Sequence, residues 1–180
     1  MEKKDLKPAG VFKYFEEICQ VPRPSKKEEK MIAYLKAFGA KHNLETKVDE
    51  AGNVLIKKPA TPGKENLQTV VLQSHIDMVC EKNNDVQHDF LTDPIETEID
   101  GEWLKAKGTT LGADNGIGVA TELAILADDS IEHGPLECLF TVDEETGLTG
   151  AFALQEGFMS GDILLNLDSE DEGEIFIGCA

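Results

Sequence analysis

A chain of 180 residues with 35 acidic against 17 basic side chains, and a formal net charge of −18, is long enough to bury one α/β core. Its surface repels phosphate backbones and anionic lipids, which argues against nucleic acid and membrane as partners. No apolar run approaches the roughly 20 residues that span a bilayer. The charged opening Met1-Glu-Lys-Lys-Asp-Leu-Lys-Pro8 lacks the apolar stretch of a secretory leader, so a cytoplasmic location is expected. The four cysteines, Cys19, Cys80, Cys138 and Cys179, are widely spaced with no CxxC pair. Cys19 and Cys138 lie in apolar periodic segments, which predicts buried free thiols and no disulfide framework or zinc knuckle.

Taken in chain order, Val11 to Cys19 reads as a short amphipathic helix with Val11, Phe12, Phe15 and Ile18 on one side, stopped by Pro22-Arg-Pro24. Ser25-x-x-Glu28 has capping-box spacing and predicts the start of a second helix. Met31, Tyr34, Leu35 and Phe38 then follow at i, i+3, i+4 and i+7, one buried face. Thr46 and Val48, then Val54 and Ile56, flank Ala51-Gly-Asn53 and predict a hairpin. Thr69 to Gln73 is a continuous β-rich run with the look of a buried strand. Glu102 to Ala106 is a more exposed strand, and Asn115 to Asp128 a helix with Ile117, Ala120, Ala124 and Ala127 inward. Leu136 to Val142 is another buried strand, Gly150 to Gln155 a short helix, and Ile163 to Leu167 a third buried strand. Glu174 to Ile177 reads as the start of one more. This order predicts an α/β fold with a mixed, mostly parallel central sheet flanked by helices.

Ligands of such sheets bind outside the carboxyl ends of the strands, so the residues that follow each strand matter. Ser74-His75-Ile-Asp77 follows the first buried strand, Asp143-Glu144-Glu145 the second, and Asp168 the third. Asp114 sits in Gly112-Ala-Asp-Asn-Gly116, where a glycine-rich turn enters a helix. Each element alone has an ordinary explanation: a solvated acidic loop, or turn chemistry with a helix cap. Their shared position is what joins them. Neutral imidazole and carboxylate oxygen are the ligands of hydrolytic zinc. The spacing His75-x-Asp77 allows a carboxylate to orient a ligating imidazole. Two metals roughly 3.5–4 Å apart need a shared carboxylate, and the doublet Glu144-Glu145 offers one ligand and a neighbouring general base. His42, His88 and His133 lie in polar surroundings and read as surface residues.

Leu72-Gln-Ser-His75-Ile-Asp77-Met-Val-Cys-Glu-Lys82 resembles the first metal motif of the aminoacyl-histidine dipeptidases. Thr109 to Gly118, Phe140 to Gly150 and Asn166-Leu-Asp168-Ser-Glu170 resemble the second, third and fourth. These enzymes belong to the co-catalytic zinc peptidases, with aminoacylases, carboxypeptidase G and the tripeptidase called peptidase T. The resemblance runs over the whole chain, and four ordered motifs make it specific. It implies a two-zinc peptidase hydrolysing dipeptides, of Xaa-His type, with cobalt or manganese as possible substitutes for zinc. It further implies His75 and Asp168 as ligands of one zinc, Asp114 as the bridge and Glu145 as a ligand of the second zinc. Glu144 is then the general base, and Asp77 the carboxylate behind His75.

The same resemblance implies a further histidine ligand downstream and a lid domain that contributes to substrate binding and homodimer formation. Residues 1–180 are accordingly expected to be the N-terminal portion of the catalytic domain, inactive alone and binding at most one zinc tightly. An aminoacylase-type amidohydrolase with the same metals, or a catalytically silent metal-binding fragment, are the alternatives.

Overall fold

The computed structural model of the chain describes residues 2–169 and 173–178. After a 3₁₀ turn at Lys3–Asp5 come α1 (Ala9–Cys19), α2 (Glu29–Lys41), β1 (Glu45–Val48), β2 (Val54–Lys58) and β3 (Val70–His75). These are followed by β4 (Thr97–Asp100), β5 (Trp103–Ala106), α3 (Ala113–Ala127), β6 (Leu136–Thr141), α4 (Thr149–Ala153) and β7 (Ile163–Asn166). β4 and β5 form a separate antiparallel hairpin.

The main sheet has the order β1-β2-β6-β3-β7. β6, β3 and β7 run parallel, and the antiparallel pair β1–β2 extends the sheet beyond β6. Because side chains alternate across a strand, Val54 and Ile56, Leu72, and Cys138 and Phe140 face one side. There they meet Phe15 and Ile18 of α1, Met31, Leu35 and Phe38 of α2, and Val119, Leu123 and Leu126 of α3. This is the main core. Leu55, Val71 and Leu139 face the other side, where, among the described residues, Leu154, Phe158 and Met159 pack on them. Among the described residues no helix is long and apolar enough to cross a membrane.

The helix ends follow local chemistry. α1 opens directly after Pro8, a residue whose missing N–H costs nothing at a helix start. α3 ends where the buried Lys58 Nζ reaches the carbonyls of Ile125 and Asp128, at 3.1 and 2.8 Å, a cation placed at the negative end of the helix.

Four readings of the sequence differ from the fold, and one strand had none. Ser25 does not cap α2: Glu28 is the cap residue, and Ser25 Oγ turns to Asp77. The strand Thr97–Asp100 carried no reading. On α3, Ile117 is 39% exposed, whereas Ala120, Ala124 and Ala127 pack on the core beside Val119, Leu123 and Leu126. β7 is exposed along its whole length, as the last strand of the sheet order. Residues 174–177 form no strand. Cys19 and Cys138 are buried free thiols, whereas Glu170 and the last two residues lie outside the described set.

Candidate metal centre

Parallel pairing puts the carboxyl ends of β6, β3 and β7 on one edge. In register, His75 stands opposite Thr141 and Gln73 opposite Asn166, so Asp168, two residues past Asn166, reaches the level of His75. Glu144 and Glu145 follow β6 by a few residues. Asp114 comes from another direction, on the turn that opens α3, where Gly112 holds a left-handed φ of 66°.

These elements bring the predicted residues together. His75 is 1% exposed. Its Nε2 lies 3.0 Å from Asp114 Oδ1, 3.8 Å from Asp168 Oδ1 and 3.9 Å from Glu144 Oε2. Its Nδ1 faces Asp77 Oδ1 at 3.2 Å; the approach falls outside aligned hydrogen-bond geometry, so the contact is mainly electrostatic. Donor atoms of His75, Asp114 and Glu145 lie within 4.8 Å of one another, and so do those of His75, Glu144 and Asp168. His42, His88 and His133 are half-buried elsewhere, the first against the ring of Phe38 and the second against Phe90.

Asp77 has more partners than its spacing from His75 suggested. Oδ1 also accepts the Glu144 N–H at 3.0 Å, and Oδ2 accepts the Glu145 N–H at 3.2 Å and the Ser25 hydroxyl at 2.7 Å. One buried carboxylate therefore aligns the imidazole and pins the Glu144–Glu145 backbone. Burial pushes its pKa up, but His75 and these donors outweigh burial and hold it at about 2. A second group of buried acids, Glu28, Asp77 and Asp143, is already satisfied. Glu28 Oε1 accepts the N–H groups of Lys26 and Asp143, and Asp143 accepts the hydroxyls of Thr146 and Thr149. That group shapes the loop and offers no free donor set.

The electrostatics of the cluster favour a cation. Burial pulls the His75 pKa down, yet Asp77, Asp168 and Asp114 hold it up at about 9. Glu144, Glu145 and Asp168 are each raised above the ordinary carboxylate range, first by burial and then by neighbouring carboxylates, with His75 only partly offsetting them. Like charges crowded this way disfavour one another's ionisation. One imidazole nitrogen and several carboxylate oxygens converging on a partly open site form a donor set suited to a divalent metal. No pattern in the sequence marks Ser25, Glu28 and Arg23 as supports of this site. The signal available for Ser25 pointed to a helix cap, and a buried arginine leaves no periodic trace.

The model of Peptidase family M20/M25/M40 matches residues 71–178 of the chain. The chain belongs to that peptidase family. It is 53% identical over 179 residues to the cytosol non-specific dipeptidase of Escherichia coli (strain K12), a match covering 99% of this chain and 37% of the relative. The crystal structure of aminoacylhistidine dipeptidase from Vibrio alginolyticus superposes with a TM-score of 0.96 at 56% identity, over 99% of this chain and 36% of that one. A tripeptidase from Staphylococcus aureus shares the fold, with a TM-score of 0.75, 24% identity and coverage of 89% and 43%. The chain thus spans just over a third of the length of the dipeptidases it matches.

Proposed function

We propose that the chain carries the metal-binding and general-base residues of a cytoplasmic dipeptidase that hydrolyses the amide bond of dipeptides, including those of Xaa-His type. The observation that carries this reading is His75 Nε2 within 3.0 to 3.9 Å of carboxylates from three separate elements, Asp114, Glu144 and Asp168. Its location after parallel strands and the two dipeptidase relatives named above support it.

In this reading His75, Asp114 and Asp168 hold one zinc ion, and Asp114 and Glu145 contribute to a second, with cobalt or manganese as alternatives. When bound, such ions polarise the scissile carbonyl and lower the pKa of water. The protein's own residues do the rest. The Asp77 charge, 3.2 Å from Nδ1, favours the ring proton on that nitrogen and leaves Nε2 bare to face outward. Its grip on the N–H groups of Glu144 and Glu145 fixes the direction of both side chains. Glu144 accepts the proton of the attacking water and returns it to the leaving amine. A homodimer is proposed for the whole protein, with light scattering as its check.

Zinc titration of the chain, read by atomic emission and chelator competition, tests the site. Hydrolytic zinc needs about three protein ligands, and in this reading His75, Asp114 and Asp168 supply them for one ion. One tightly bound zinc per chain is expected, lost in His75→Ala. Turnover of dipeptides against N-acyl amino acids by the whole protein tests the substrate class; faster turnover of N-acyl amino acids would replace the dipeptidase reading with an aminoacylase one.

A further inference from the structure

Arg23 is 2% exposed and makes no ion pair among the described residues. Its guanidinium is spent on backbone carbonyls. Nη1 donates to Ile76 O and Asp77 O, both at 3.2 Å, and Nη2 donates to Gly112 O at 2.6 Å. The first two carbonyls belong to the loop that carries His75 and Asp77. The third belongs to the turn that carries Asp114, two residues on.

The rest of the segment points the same way. The Met78 N–H donates to Arg23 O at 3.2 Å, Pro24 forms a parallel bridge with Met78, and Ser25 Oγ holds Asp77 Oδ2. The glycine-rich turn is shaped around the guanidinium. A Cβ on Gly112 would stand 2.6 Å from Nη2, and one on Gly116 2.7 Å from it. Those two glycines therefore leave the room that the arginine head fills.

A buried cation is expensive to desolvate, and an apolar side chain of similar volume fills core space at lower cost. What an apolar side chain cannot do is donate to two loops at once from a rigid planar fork. We propose that Arg23 is a positioning residue of the metal centre. It ties the loop after β3 to the turn opening α3, and so sets the separation of His75 and Asp77 from Asp114. The inference rests on the metal-site reading above and adds to it the group that holds the ligand-bearing loops together.

The test uses the full chain with zinc alone, and with cobalt(II) as a spectroscopic probe. Arg23→Met removes the donors. Arg23→Lys keeps the charge but loses the fork. Affinity is measured well below each variant's melting temperature, with far-UV circular dichroism to verify folding and His75→Ala as control. The expected result is a loss of zinc affinity of about 10–100-fold in both variants, the usual effect of removing a support behind metal ligands, with a changed cobalt absorption band. A merely structural role would lower the melting temperature and leave affinity and spectrum unmoved. Folded variants that bind zinc within twofold of the unsubstituted chain would overturn the proposal, and whichever variant folds decides. If neither folds, the proposal is overturned as well, because Arg23 would then belong to the core and not to the site. An unsubstituted chain that binds no zinc, or a His75→Ala chain that binds it equally well, would instead bring down the metal reading itself.

Discussion

At the scale of single residues, neighbouring carboxylates separate by their partners. Asp77 is saturated with donors and sits low at about 2, while Glu144, nearby, has its pKa raised. The first is held in place by three donors, whereas the second keeps its carboxylate free to face the site. Glu144→Gln keeps the shape and removes the acceptor, so the active enzyme should retain its zinc and lose kcat by about 10²–10⁴-fold, the usual contribution of a general base. Loss of metal in that variant would mean that the roles of Glu144 and Glu145 are exchanged. Asp77→Ala acts differently. It frees the imidazole and leaves two N–H groups without their acceptor, so zinc affinity should fall by about 10–100-fold. Isothermal titration of the folded variant checks this, and an unchanged affinity would reduce Asp77 to a loop residue.

At the scale of elements, α3 is joined to the sheet by a polar contact inside an apolar interface. Glu122 is fully buried, its Oε1 accepts the Ser74 hydroxyl at 2.6 Å, and the Cys138 thiol lies against it. Burial raises its pKa well above 4.5, so the folded chain prefers the neutral acid. Stability linked to that neutral form is fully present below the unfolded pKa and is lost as pH rises through the folded one. Glu122→Gln, neutral at every pH, should therefore gain stability over the unsubstituted chain as pH is raised from weakly acidic to alkaline. Urea midpoints across that range test it, and a difference that stays flat with pH would show that Glu122 is ionised in the fold or solvated by water.

At the scale of the whole molecule, the two faces of the sheet are unequal. Three helices cover one face of the inner strands, but on β7, the last strand of the sheet order, Ile163, Leu164 and Leu165 are 40–48% exposed on both faces. A flat apolar edge strand pairs readily with other chains. The net charge of −18 opposes association at low ionic strength and is screened by salt. The chain is accordingly expected to self-associate as salt is added, and Leu164→Lys to keep it monomeric, since a lysine on an edge strand blocks such pairing. Size-exclusion chromatography with light scattering measures this. A chain that stays monomeric at high salt would show that the edge is shielded.

How much was legible beforehand follows from the range of the forces involved. Helix periodicity, the hairpin at Ala51-Gly-Asn53 and the buried runs at Val70 and Leu136 are local patterns. The placing of His75, Asp114, Glu144 and Asp168 at element ends was equally open to reading, because parallel strands put their carboxyl ends on one edge by topology alone. Ser25 was misread because a serine three residues before a glutamate is chemically the same signal whether it caps a helix or reaches a carboxylate 52 residues away. Of the α3 residues read as inward, Ala120, Ala124 and Ala127 pack on the core and Ile117 stands 39% exposed. By itself the sequence determined the kinds of donor, their order and the strands they follow. Only the tertiary structure decided that Asp77 serves both His75 and the Glu144–Glu145 backbone, and that Arg23 joins two loops 35 residues apart, from Asp77 to Gly112. Hydrogen bonds to backbone carbonyls and N–H groups carry no residue identity, so no sequence pattern records them.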